Sequence, residues 1–332
     1  MRFDELGGLC QDGVILAYNG GCSNRFLSLK PMKLAFIYLH ISIFLAGFTG
    51  VFGRLITMNE ALLVWYRVMF ASGFFLIYFA ATKTRFILPI KDILRIGWVG
   101  ALLALHWILF YASIKYSNVS IGVVTFASLC FWTAIIDPIM SRRAFSIKEI
   151  LFSLLTIVGI ALIFHFDTRY QVGIILGILS AIACSVLSIE TRRVSFHYPL
   201  MTFLFYEILT CFFVMSLIVP IYLQFFEVDS IVPSPLNFTY LCLMASFCTV
   251  GMFIFQVKAF QALSTFTVNL SYNLEPVYSI VIAMILFSEA KEVNFSFYAG
   301  LILICASVAL QSWSHLKDHQ KTKALKAKQK AE

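Results

Sequence analysis

From residue 33 onward, long apolar runs alternate with short polar or basic connections. An α-helix rises 1.5 Å per residue, so about 20 apolar residues cross the ~30 Å hydrocarbon core of a bilayer. Ten runs approach that length: Leu34–Ile56, Ala61–Ala81, Ile93–Ile114, Val119–Met140, Glu149–Phe166, Val172–Glu190, Leu200–Phe225, Phe238–Ala262, Phe266–Phe287 and Phe295–Trp313. Barrel strands would alternate apolar and polar positions, and these runs do not. The pattern predicts an all-α integral membrane protein of ten transmembrane helices.

The charges between the runs set an orientation. With the N-terminus inside, the inside connections hold Lys83, Arg85 and Lys91, then Arg142, Arg143 and Lys148, then Arg192 and Arg193, and last the six lysines between Lys317 and Lys330. The outside connections hold only Arg54, Lys115, Arg169 and Lys291, with Glu227 and Asp229 making one of them acidic. Basic loops stay on the cytoplasmic side, so both termini are expected in the cytoplasm of an inner- or plasma-membrane protein. An odd number of spans would carry the lysine tail outside, against that bias.

Composition sharpens the class. The chain is 60% hydrophobic and 13% charged, with mean hydropathy +0.88. A soluble domain carries about a quarter charged residues. The net charge of +8 lies in loops and tail, without the aromatic-and-basic stripe of a nucleic-acid surface. Of the eight cysteines, Cys130, Cys184, Cys211, Cys242, Cys248 and Cys305 fall inside apolar runs and none forms C-x-x-C, so free buried thiols are expected. Residues 1–32 form an N-terminal leader. Asp4, Glu5 and Asp12 stand where a signal peptide is basic. Met32 is read as the natural start, with a loose cytoplasmic leader as the other reading.

The chain also looks doubled. Ala112-Ser113-Ile114-Lys115-Tyr116-Ser117 resembles Ala259-Phe260-Gln261-Ala262-Leu263-Ser264, 147 residues later. Each is a tight hinge between two apolar runs. Five spans per half is an odd number, so the halves enter the membrane with opposite orientation. Such an inverted repeat supports alternating access in transporters. The units are residues 33–166 (helices 1–5), 171–313 (helices 6–10) and a basic cytoplasmic tail, 314–332.

These hinges resemble the EamA family of the drug/metabolite transporter (DMT) superfamily, whose members carry two five-helix repeats. Phe110 to Ser120 is similar to the first-repeat hinge. Ala259 to Glu289 is similar to the second, with Phe266-Thr267-Val268-Asn269-Leu270 and Asn273-Leu274-Glu275-Pro276-Val277-Tyr278. Arg67 in Trp65-Tyr66-Arg67 matches the arginine that opens the family's second helix, and Phe44 to Gly50 fits its first. The resemblance spans about residues 33–313. It implies a cavity between the halves lined chiefly by helices 1–4 and 6–9. The halves have diverged: the family's Gly-Glu is Ser288-Glu289 in one half and Ser141-Arg142 in the other. Leu129 stands opposite Pro276, and Ser128 opposite Glu275.

Ionisable groups within spans are costly and mark candidate sites. Glu275 comes first, about ten residues into its span. Pro276 follows it and removes a backbone donor, which breaks the helix locally. Carbonyls freed beside a carboxylate suit a cation or polar substrate, and the carboxyl is a candidate proton carrier. A structural helix-to-helix hydrogen bond is the competing reading. Arg67 suits a carboxylate clamp, against snorkelling or pairing with Glu60. His106 and Trp107 offer a titratable ring and an aromatic wall, against plain packing. Glu207 suits transport chemistry or pairing with a polar neighbour. Asn269, Tyr272 and Asn273 join Glu275 on the ninth run and predict a polar face toward a cavity. Asp137, Glu190, Lys258 and His40 read as interface anchors. Gly173-x-x-x-Gly177 and the glycines at 47, 50 and 53 read as close-packing positions.

The expected function is a secondary active transporter, as exporter or exchanger, for a small polar or amphipathic metabolite. No P-loop offers ATP drive. Membrane-enzyme signatures are missing: there is no H-E-x-x-H, Asp137 is alone, and no Ser–His pairing sits in a glycine-rich turn. No selectivity-filter loop argues for a channel. A non-transporting scaffold is the alternative, and a membrane-embedded enzyme stands behind it. No cofactor, metal or nucleic acid is expected. The expected partners are the bilayer, a small-molecule substrate and a proton or other coupling ion, with a homodimer left open.

Overall fold

The computed structural model describes residues 29–117, 122, 125–164, 171–226, 228 and 230–275, and beyond these 277–279, 282, 286, 299, 300, 302–311, 313, 314 and 317. The described residues form helices and no strand: α1 (Leu29–Leu55), α2 (Glu60–Thr82), α3 (Ile90–Lys115), α4 (Leu129–Ser141), α5 (Ile147–Phe164), α6 (Gln171–Ser195), α7 (Leu200–Phe225), α8 (Pro235–Phe260), α9 (Thr265–Tyr272) and α10 (Ile302–Gln311). Six are long and apolar enough to cross a membrane: Lys33–Gly53 of α1, and α2, α3, α6, α7 and α8. Leu129–Ser141 and Ile302–Gln311 are apolar but shorter. The expected runs Val119–Met140, Phe266–Phe287 and Phe295–Trp313 lie partly outside the described residues, as does the helix break at Pro276.

Local chemistry sets the helix ends. The Asn59 side chain accepts from Ala61 N–H at 2.9 Å and caps α2. Ser234 caps α8 with Pro235 behind it, where a missing N–H costs nothing. Ser264 caps α9 by accepting from Thr267 N–H. Lys83 and Arg142 end α2 and α4 in the left-handed region, at φ 52° and 51°. The bundle turns apolar side chains outward as well as inward: Ile77 is 65% exposed and Leu217 73%. A bilayer solvates such a surface and water does not.

Helix contacts follow small residues. α3 packs along α6 and α7. A Cβ at Gly173 would lie 2.5 Å from the Ser117 Cβ, and one at Gly177 would overlap Thr125. The Ser113 hydroxyl donates to Gly173 O at 2.7 Å, which joins α3 to α6 across the two halves. This is the close packing that the Gly173/Gly177 spacing leads one to expect. Gly100 likewise lets α3 reach the α7 backbone at Glu207. Two buried clusters hold the rest. One gathers Phe75, Phe79, Phe203 and Phe205 with the inner faces of α2, α3, α7 and α8. The other joins Leu39 and Ile43 of α1, Cys130 and Ala134 of α4, and Phe260, Phe266 and Leu270 of α8 and α9.

α8 is interrupted by a π turn at Ser246–Gly251. One extra residue per turn leaves local backbone groups poorly paired. The Thr249 hydroxyl reaches back to Met244 O at 3.4 Å.

Candidate functional site

Arg67, on α2, is 4% exposed and turns inward. Its Nε donates to the Thr249 hydroxyl at 2.6 Å and an Nη to Cys248 O at 2.7 Å. Both acceptors belong to the π turn. The guanidinium also sits 5.1 Å from the centre of the Trp107 ring. Arg67 is therefore tied to α8 and to α3, with no hydrogen bond to Glu60.

Glu275 follows α9. Arg67 of α2, Tyr111 of α3, Cys184 of α6, Cys248 of α8 and Tyr272 of α9 all lie close enough to interact electrostatically with it. It is enclosed by helices from both halves, yet its side chain stays half-exposed. Tyr111, Cys184 and Tyr272 share this state, enclosed but partly accessible. Among the described residues, Glu275 has no hydrogen-bonded or ion-paired partner. The Tyr272 hydroxyl lies near Ser42 and Gln256 and makes no well-formed hydrogen bond.

The remaining polar groups of α9 turn elsewhere. Asn269 is buried and donates to the Thr133 hydroxyl of α4 at 2.8 Å. Asn273 donates to the Cys130 sulfur at 3.4 Å. Successive helical residues are about 100° apart, so α9 divides its polar side chains between α4 and the cavity. His106 is 8% exposed, bonds the Ser180 hydroxyl at 2.9 Å and stacks on Phe126. Ser180 returns a bond to His106 O at 3.0 Å. The ring so joins α3 to α6. Glu207 is fully buried beside Thr191, and neither carboxyl oxygen has a well-formed hydrogen bond among the described residues.

The residues taken as interface anchors differ in setting. Asp137 is buried and paired with Arg143 at 3.0 Å, and Arg143 also reaches Glu149 at 2.7 Å. Glu190 meets Arg193 at 3.4 Å. Lys258 lies over the Tyr38 ring, and His40 contacts Tyr278 Oη at 3.4 Å.

Sequence reasoning did not single out Tyr111, Cys184 or Thr249 as site residues. Tyr111 could have been found, because it lies one turn beyond Trp107. Thr249 carried no signal, because nothing in Ser-Phe-Cys-Thr-Val-Gly announces a π turn.

The model of the EamA-like transporter family matches residues 33–165 and again residues 171–313. A search of curated proteins finds no match. A crystal structure of another protein, 14% identical, superposes with a TM-score of 0.69 over 85% of this chain and 97% of its own, a likeness of fold. Two consecutive family matches cover most of the sequence, and with the apolar helices they make the chain a multi-pass membrane transporter of the drug/metabolite type, a member of the EamA-like transporter family.

Proposed function

We propose that the protein is a secondary transporter that moves a small polar or amphipathic metabolite across the inner or plasma membrane by alternating access. Its ten spans form two inverted five-helix repeats, with both termini in the cytoplasm. The observation that carries this reading is Glu275: an accessible carboxylate enclosed by helices of both halves. A scaffold has no use for an open charge in the membrane interior, where burial costs a few kcal/mol or more. A transport cavity does.

Access is closed on the cytoplasmic side. There Leu39, Phe260, Leu263 and Phe266 pack together between α1, α8 and α9. Arg192, at the end of α6, donates to Phe260 O at the end of α8, at 3.1 Å. Asp137, Arg143 and Glu149 tie α4 to α5 at the same end. Energy comes from a proton or other ion gradient, or from solute exchange.

Metabolite profiles of cells lacking the protein, expressing it, and expressing Glu275→Gln at equal membrane abundance test the reading. A compound enriched outside or inside only with the native protein names a substrate and a direction. Matching profiles across several nutrient conditions count against transport.

A further inference from the structure

Lys33, Phe36, Ile37, His40, Ile41 and Phe44 recur along α1 at helical spacing and share one face of it. The last five line an open groove of about 410 Å³, and Tyr278 forms its other wall. His40 Nδ1 and the Tyr278 hydroxyl stand 3.4 Å apart, and the rings of Phe44 and Tyr278 meet edge to face at 6.2 Å. Gly47 permits this approach. A Cβ there would lie 2.9 Å from the Tyr278 Cβ and 3.2 Å from Ser279 N, so the two walls close against each other one turn beyond Phe44. The groove is thus shut at the end away from Lys33.

Its mouth faces away from the bundle. Ile37, His40 and Phe44 are exposed, while Ala35, Leu39 and Ile43 of the same helix are buried against other helices. In a bilayer, lipid is what meets such a face. The polar tips of His40 and Tyr278 face each other, and the rest of the lining is aliphatic or aromatic, which suits an acyl chain. Length agrees. Lys33 and Phe44 are eleven residues apart, a rise of about 16 Å, close to half of the ~30 Å hydrocarbon core. Charge agrees as well. Lys33 is exposed at the headgroup end, with no ion-paired carboxylate among the described residues. A lysine at that depth attracts acidic lipid.

We propose that α1 carries a site for one acidic phospholipid of the cytoplasmic leaflet. An acyl chain lies in the groove against Ile37, Ile41 and Tyr278 and ends at Phe44, while Lys33 pairs with the headgroup. The leaflet follows from the proposed orientation, in which α1 starts at the cytoplasmic surface. The site itself is independent of transport.

The test uses the full-length protein in phosphatidylcholine vesicles with a trace of phosphatidylglycerol that carries a photoreactive diazirine in one acyl chain. The probe occupies both leaflets, so the outcome does not depend on which way the protein inserts. After irradiation, peptide mass spectrometry locates the adducts. They are expected to concentrate on Ile37, Ile41 and Tyr278, above those on Leu217 and Ile221, which are exposed on α7. Unlabelled phosphatidylglycerol is expected to displace the probe about fivefold better than phosphatidylcholine, the effect of one lysine near the surface. Lys33→Gln is expected to cancel that preference and leave the α7 adducts unchanged. Ile41→Trp fills the groove and is expected to remove most of the Tyr278 adducts. The native pattern needs no variant, so a misfolded variant does not rescue the idea. Adducts spread evenly over α1 and α7 overturn it, as does equal displacement by the two lipids. Disulfide cross-links between Ile37→Cys copies in the same vesicles would place a second copy in the groove and overturn it too.

Discussion

Arg67 and Thr249 stand 182 positions apart in sequence and are joined by a 2.6 Å hydrogen bond. The bond places a cation of the first half on the one turn of α8 that departs from α-helical pairing. It also occupies Arg67, while Glu275 has no hydrogen-bonded partner among the described residues.

Replacing Arg67 tests that clamp. Lysine keeps the charge but cannot supply two donors in a planar fork. Arg67→Lys is expected to lower stability by about 2–3 kcal/mol, the scale of lost hydrogen bonds to a charged group. Thermal melting of purified protein in detergent reads this out, and an unchanged melting temperature would show that the clamp contributes little.

Gly177 tests the contact between the halves. A Cβ there would overlap Thr125 and lie 2.9 Å from the Ser113 hydroxyl. Gly177→Val is expected to push α6 from α3 and destabilise by about 1–3 kcal/mol, as overpacking does. Gly53 has open space around it, so Gly53→Ala is the matched control and is expected to be tolerated. Equal melting of the two variants would contradict the packing described for α3 and α6.

Much of this architecture was legible in sequence, for a physical reason. A segment in lipid must satisfy its own backbone, so apolar length alone announces α1, α2, α3, α6, α7 and α8. Glycine spacing likewise announced a close-packed face on α6, and the structure supplies its partner, α3. Burial cost drew attention to Glu275 and Arg67, because ionisable groups are rare in such runs. What burial cost cannot say is which of them is engaged. That depends on a π turn formed at a distance, and on which way each polar residue of α9 faces. Asn269 and Glu275 looked alike as polar side chains in a membrane span. One reaches Thr133 of α4, and the other is partly accessible with no hydrogen-bonded partner among the described residues.

The cytoplasmic closure gives another prediction. Arg192 links the ends of α6 and α8 through Phe260 O, above a cluster in which Cys130 is fully buried. Removing the link with Arg192→Gln is expected to shift the population toward cytoplasm-open states. In a background where Cys130 is the only thiol, its labelling by a maleimide should then speed up about threefold to tenfold, the shift expected for about 1 kcal/mol of lost bonding. Labelling at the native rate would mean that Arg192 does not hold this end shut.

The most direct test of the central claim is solute flux in liposomes holding equal amounts of native protein and Glu275→Gln, matched for melting temperature. The substrate is the one named by metabolite profiling. Native protein is expected to move it and Glu275→Gln to lose at least about nine-tenths of that rate, the effect of removing an ionisable group held in the membrane interior for transport. Native flux through Glu275→Gln would contradict the account and remove Glu275 from the mechanism.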